Sequence, residues 1–183
     1  IGSAEAPQKL VEAAHADGGW DVIVHNAGIT RDKTIANMKE HLWQLVMNVN
    51  LSTQERINEA LVETGALKAG GRIVCVSSIS GLSGNMGQTN YAVSKAGVVG
   101  MVQACAPLFA QKGITINAVA PGGTETPNFL RVMGDAHAMD AAIPMRRIGQ
   151  PGEVANAVVW LMSDQASYVT GAVLSVDGGL SAE

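Results

Sequence analysis

The feature that most constrains this chain is a series of short apolar runs, each separated from the next by a helix-length segment. Asp21-Val22-Ile23-Val24, Arg72-Ile73-Val74-Cys75-Val76, Ile114-Thr115-Ile116-Asn117-Ala118-Val119 and Ala172-Val173-Leu174-Ser175-Val176 read as strands. Between them, residues 6–16, about 37–64, 90–111 and 152–163 read as helices, the second carrying Leu42, Leu45, Val46 and Val49 at helical spacing. Strands that are apolar on both faces and alternate with helices imply a parallel sheet covered on both sides. No repeat, low-complexity tract or linker interrupts the pattern. The expectation is one doubly wound α/β domain over residues 1–183.

Composition narrows the class. A chain of 183 residues suits one domain, and 47% hydrophobic against 15% charged residues can build a large core. The 21 glycines and 4% aromatics suit helices lying close on strands and loops that meet a ligand with bare backbone. A net charge of −4 gives no basic footprint for nucleic acid. No apolar stretch is read as approaching bilayer length, so no membrane partner is expected. Ile1-Gly2-Ser3-Ala4-Glu5-Ala6-Pro7 has neither the basic region nor the apolar core of a signal peptide. Cys75 and Cys105 sit in apolar runs and read as reduced, buried thiols of a cytoplasmic protein.

Chemistry concentrates at the strand ends. Tyr91 and Lys95, four apart at the start of a helix, share one face. An ammonium there is expected to lower the phenol's pKa from about 10 toward working pH, as a proton donor to a carbonyl oxygen requires. Ser77-Ser78 closes a buried strand ahead of a flexible loop with Gly81 and Gly84. A hydroxyl at the carboxyl end of a parallel strand stands where ligands bind in such sheets, and can donate to a developing oxyanion. His25-Asn26-Ala27-Gly28 and Pro121-Gly122-Gly123-Thr124-Glu125-Thr126 end two other strands with small residues and hydroxyls.

Together these residues resemble the short-chain dehydrogenase/reductase family and its Rossmann-like sheet. Its N-N-A-G motif is matched by His25-Asn26-Ala27-Gly28, its catalytic Ser by Ser78, its Y-x-x-x-K by Tyr91 and Lys95. Its P-G loop is matched by Pro121-Gly122, its helical Asn by Asn50 and its tail motif by Asp177-Gly178-Gly179. Asn26-Ala27-Gly28-Ile29-Thr30-Arg31-Asp32, Gly87-Gln88-Thr89-Asn90-Tyr91 and Lys112-Gly113-Ile114-Thr115-Ile116-Asn117 are similar to bacterial 3-oxoacyl-acyl-carrier-protein reductases.

The resemblance implies NADPH-dependent reduction of a 3-oxoacyl thioester, on acyl carrier protein or CoA. The alternatives are another short-chain alcohol dehydrogenase or ketone reductase, or a catalytically silent truncated fold. The cofactor implied is NADP(H), with NAD(H) as the alternative. Tyr91 would give the proton and Ser78 would hold the substrate oxygen. Lys95 would tune Tyr91 and bond the nicotinamide ribose, and Asn50 would hold a water linking Lys95 to solvent. Asn26, Ala27 and Gly28 would line the middle of the cofactor, and Pro121, Gly122, Thr124 and Thr126 its nicotinamide. Gln88 would face the substrate. A homodimer or homotetramer is expected, and no metal.

Four departures from the family pattern stand out. His25 replaces an Asn and is expected to be structural. Gly123 replaces a bulkier residue and is expected to loosen its loop, and Pro107 should kink its helix. The family's glycine-rich phosphate loop and its first strands are absent from this sequence, a stretch of roughly 60–75 residues on the size of two βα units. The strand at 21–25 should then present an open edge, which natural proteins avoid. The expectation is a portion of a longer protein, the alternative a truncated chain that pairs this edge with another subunit.

Among the remaining residues, His15, His41 and His137 share no metal-ligand spacing, and Trp20, Trp43 and Trp160 read as packing. The stretch from Thr126 to Ile143 resembles the family's substrate loop, whose Met133 and Met139 would either line an acyl pocket or fill a core gap. Lys68, Arg72 and Lys112 read as solvated surface rather than a patch for an acidic carrier.

Overall fold

The computed structural model describes residues 1–135, 137 and 139–182. The four apolar runs become β1 (Trp20–His25), β2 (Leu67–Val76), β3 (Thr115–Pro121) and β4 (Val173–Val176). They form one parallel sheet in the order β1-β2-β3-β4. Its register aligns Ile23 with Ile73 and Ile73 with Ile116, then Ala118 with Val173. Parallel neighbours need long crossovers, and helices supply them.

α1 (Ala6–Ala16), α3 (Thr53–Glu63) and α5 (Thr89–Ala110) cover one face of the sheet. Ile57, Leu61, Val98 and Val102 pack there against Ile73, Cys75, Ile116 and Ala118. On the other face α7 (Pro151–Met162) lies over β2, β3 and β4, with Leu161 buried against Val74 and Val119. The sheet is therefore doubly wound, as expected. The cover is uneven: β1 has β2 as its one partner among the described residues, and Val24 stays 37% exposed.

Several expectations need correction. The helix over 37–64 is α2 (Glu40–Met47) and α3 joined through a π turn at Asn48–Ser52. Hydrophobic periodicity does not register one wide turn inside a continuing helix. The loop after Ser78 is a short helix, α4 (Ile79–Ser83). The substrate-loop stretch opens with α6 (Pro127–Met133), whose N-cap is Thr126, whose first residue is Pro127 and whose C-cap is the left-handed Gly134. α5 runs through Pro107 to Ala110, and over its 22 residues it is long and apolar enough to cross a membrane by length and composition. In this fold it packs instead on β3, α2 and α4. Cys75 is fully buried, but Cys105 is only half-buried.

Candidate active site

A cleft of about 740 Å³ opens where β1, β2 and β3 end. Asn26, Ser78, Gln88, Tyr91, Pro121, Gly122, Thr124 and Thr126 line it, with apolar walls from α6 and α7 and from Met133 and Met139. Lys95 and Asn50 lie behind that wall, both buried. Ala27 and Gly28 are exposed beside it, and a side chain on Gly28 would begin 3.5 Å from Lys95 Nζ. The structure thus gathers residues that are far apart in the sequence around one opening.

The first turn of α5 is pinned by Asn90, whose role sequence reasoning missed. Asn90, fully buried, accepts the Tyr91 backbone N–H at 2.8 Å. Its amide donates to the carbonyls of Arg31 and Leu42 at 3.1 and 3.3 Å. This fixes where Tyr91 emerges. One turn on, Lys95 Nζ donates to the Val76 carbonyl at 2.7 Å and stands 5.6 Å from the centre of the Tyr91 ring. Burial pushes the Lys95 ammonium down to about 8, against a smaller opposing pull from Cys75.

The expected lowering of Tyr91 by Lys95 is not what the resting geometry produces. Burial raises the Tyr91 phenol above its ordinary value; the Ser78 hydroxyl pulls it down and the Asp32 charge adds to the rise. Two physical reasons are visible. The ammonium is spent on a carbonyl, and burial already weakens its hold on its proton.

Ser78 sits in extended backbone and caps α4 by accepting the Ser80 N–H at 3.2 Å. Its neighbour Ser77, which the sequence places with it at the strand end, donates to the Lys95 carbonyl at 2.8 Å. Gly81 is not a hinge: a Cβ there would lie 2.7 Å from the Lys95 carbonyl carbon, so α4 and α5 touch backbone to backbone.

Asn50 stands in the π turn, completely buried. Its amide group bonds both backbone groups of Ile29, accepting at 2.8 Å and donating at 3.0 Å, and donates to Ser94 Oγ at 3.0 Å. Ser94 in turn donates to the Tyr91 carbonyl at 2.8 Å. The Asn50 carbonyl accepts from Gln54 Nε2 at 2.8 Å. One turn further, Asn58 Oδ1 meets His25 Nε2 at 2.7 Å. His25 is buried and its pKa is lowered by that burial, so it is structural, as expected. Gln54 Oε1 and Asn58 Nδ2 have no partner among the described residues. The spacing 50, 54, 58 is a helical polar stripe, the one signal that could have exposed it.

The P-G loop is held by the tail. A Cβ on Gly122 would strike Asp177 Cβ at 2.8 Å, and the Asp177 carboxylate accepts the backbone N–H groups of Gly179 and Ser181. Gly123 does not loosen the loop: its carbonyl accepts from Gly149 at 2.9 Å, and a Cβ there would meet Ile148, Met139 and Phe129 at 3.3–3.5 Å. The Thr124 hydroxyl donates to the Gly122 carbonyl, while that of Thr126 accepts from Phe129.

Gln88 lies on the cleft with its amide engaged by Ser80, Asn85 and Asp32. Among the described residues no group of His, Cys, Asp and Glu side chains is placed to hold a metal. Lys68 and Arg72 are taken up by Asp21 and Asp164.

Comparison with known proteins supplies independent findings. Residues 1–181 match the profile of a family described as enoyl-(acyl carrier protein) reductase. The 3-oxoacyl-[acyl-carrier-protein] reductase FabG of Thermotoga maritima is 47% identical over 177 residues, 96% of this chain and 71% of that protein. Nodulation protein G of Azospirillum brasilense is 41% identical over 97% of this chain and 73% of its own length. Acetoacetyl-CoA reductase of an Acinetobacter species is 42% identical over 96% and 71%.

Proposed function

The chain belongs to the short-chain dehydrogenase/reductase family of oxidoreductases acting on CH–OH groups, and on that premise we propose that it reduces 3-oxoacyl thioesters to their 3-hydroxyacyl forms with NADPH. The acyl group would be carried on acyl carrier protein or CoA, and residues 1–183 would act as one domain. The observation that carries this reading is the meeting of Ser78 and Tyr91 on one cleft wall, with Lys95 directly behind. The names of the relatives support the substrate, since two of them act on 3-oxoacyl thioesters. Tyr91 and Lys95 are one helical turn apart, closer than is usual in enoyl reductases of this superfamily.

The residues fit the nicotinamide and ribose end of such a cofactor. Gly28 and Gly122 leave backbone bare where side chains would reach Lys95 Nζ at 3.5 Å and Asp177 at 2.8 Å. Asn26, Ala27 and Gly28 would hold the middle of the cofactor, and Pro121, Gly122, Thr124 and Thr126 the nicotinamide. When bound, the cofactor supplies a hydride to the carbonyl carbon. Tyr91 would deliver the proton to the carbonyl oxygen while the Ser78 hydroxyl donates to that oxygen. A phenol held high by burial keeps its proton until negative charge forms beside it. Lys95, held near its titration point, would refill Tyr91, and Asn50 would keep Gly28 and Ile29 in place against Lys95.

The test is Tyr91→Phe in the natural full-length protein, assayed with acetoacetyl-CoA and NADPH. A loss of at least about 100-fold in kcat is expected, the low end of general acid catalysis. Turnover equal to wild type would sink the proton-donor assignment. Wild-type enzyme that reduces simple ketones and leaves acetoacetyl-CoA untouched would sink the substrate assignment.

A further inference from the structure

Among the described residues, the cleft has one formal charge on its wall. Of the described residues lining it, Asp32 is the only one with an ionisable acid or base of ordinary charge at neutral pH; the rest are apolar, amide or hydroxyl side chains. Asp32 takes part in no ion pair among the described residues, and its one side-chain partner is the neutral Gln88 amide at 3.0 Å. The flanking cations do not cancel it within the cleft. Arg31 turns to the Thr30 carbonyl at 2.6 Å, and neither Arg31 nor Lys33 lines the opening.

The carboxylate is also firmly placed. Its loop is tied to the site at successive positions: Asn50 bonds the backbone of Ile29, Asn90 the carbonyl of Arg31, and Lys33 bridges to Gln88. Gln88 is itself held by Ser80 and Asn85. A carboxylate fixed this way on the wall that carries Tyr91 and Ser78 acts on whatever approaches those groups.

We propose that Asp32 is a specificity-determining residue that selects neutral 3-oxoacyl derivatives and rejects the free 3-oxo acid. A thioester or ester places no charge beside the reacting carbonyl. The free acid brings a second carboxylate two carbons away, into a cleft whose described lining includes no cation; the ammonium behind it, Lys95, is turned to the Val76 carbonyl. Like charges there disfavour binding, and low-dielectric walls prolong their reach. The inference rests on the ketone-reductase reading given above and adds the charge of the acceptable substrate.

The experiment compares kcat/KM for ethyl acetoacetate and for acetoacetate in the natural full-length enzyme, Asp32→Asn and Asp32→Glu. The Asn side chain still accepts from Gln88 and removes only the charge, and Asp32 is exposed, so the fold tolerates the change. The expected result is a rise of roughly two- to fivefold in the acetoacetate-to-ester ratio for D32N, the span of an exposed charge pair. D32E should keep the wild-type ratio, and 0.5 M salt should narrow the difference between the enzymes, because screening removes it. An unchanged ratio in an active D32N enzyme overturns the inference. A wild-type enzyme that reduces neither compound overturns the reductase reading instead.

Discussion

Gly81→Ala is the most informative perturbation this structure offers. The added Cβ would stand 2.7 Å from the Lys95 carbonyl carbon, 2.8 Å from Ala96 N and 2.9 Å from Lys95 Cβ. All three belong to the α5 backbone or lie next to it, so no side chain can swing clear. Restoring ordinary contact requires α4 to move off α5 by roughly 0.7 Å, and overpacking of this kind costs about 1–3 kcal/mol. At about 2–4 °C per kcal/mol for a chain this long, Tm should fall by about 4–8 °C for a cost of 2 kcal/mol. The movement also carries Ser78, which caps α4, away from Tyr91 on α5. A misplacement approaching 1 Å costs up to about 100-fold in rate, so kcat should drop by about ten- to a hundredfold. Gly84→Ala is the control. Gly84 has φ of 75° and ψ of 170°, a region essentially open to glycine alone, but nothing within 4 Å, so its replacement should cost about 1–3 kcal/mol of stability through local strain and keep its kcat. Thermal unfolding and steady-state kinetics on both variants decide the matter. A G81A enzyme with wild-type Tm and kcat would refute the backbone contact between α4 and α5.

Three further outcomes are expected. Lys95→Met should be at least as stable as wild type at pH 7. Burying the ammonium lowers its pKa from 10.5 to about 8, which costs about 3 kcal/mol, while orphaning the Val76 carbonyl gives back about 1–3. Because the unfolded chain holds that proton between about pH 8 and 10.5, wild-type stability should rise with pH across this window relative to the variant, a difference that denaturant titrations would read. His25, lowered from 6.5 by burial, contributes stability that is complete above pH 6.5. That stability is lost as pH falls below 6.5, at up to about 1.4 kcal/mol per pH unit, and His25→Asn should remove the slope. Burial holds the Cys75 thiol up at about 12, so in the native protein only Cys105 should react with a thiol reagent at pH 8, the second thiol appearing on denaturation.

Much of this was legible in the sequence because it depends on period and chemistry. The strands declared themselves as apolar runs, and Ser78, Tyr91, Asn26 and Gly122 declared themselves as chemistry at strand ends; all four line one cleft. What escaped was of two kinds. The π turn at Asn48–Ser52 and the short helices α4 and α6 are too brief for hydrophobic periodicity to resolve. Asn90 and Ser94 act through hydrogen bonds to groups far off in the chain, the Arg31 carbonyl and the Asn50 amide, and sequence spacing carries no trace of those. The charge balance at Tyr91 escaped for a related reason. The i, i+4 spacing puts Lys95 near the ring but does not say that its protons face the Val76 carbonyl.

The buried seam of Asn50, Gln54, Asn58 and His25 has a consequence for how this protein can vary. Asn58 and His25 satisfy one another through their side chains, Gln54 bonds the backbone carbonyl of Asn50, and Gln54 Oε1 and Asn58 Nδ2 have no partner among the described residues. Exchanging either Asn58 or His25 alone for an apolar residue strands the other, whereas replacing the two together removes both polar groups from the interior. These two positions should therefore behave as a single inherited character: a double-mutant cycle between them should be strongly non-additive, while Gln54, whose acceptor is main chain, should vary independently. A lineage could exchange this polar pair for an apolar one only by passing through an intermediate less stable than either end.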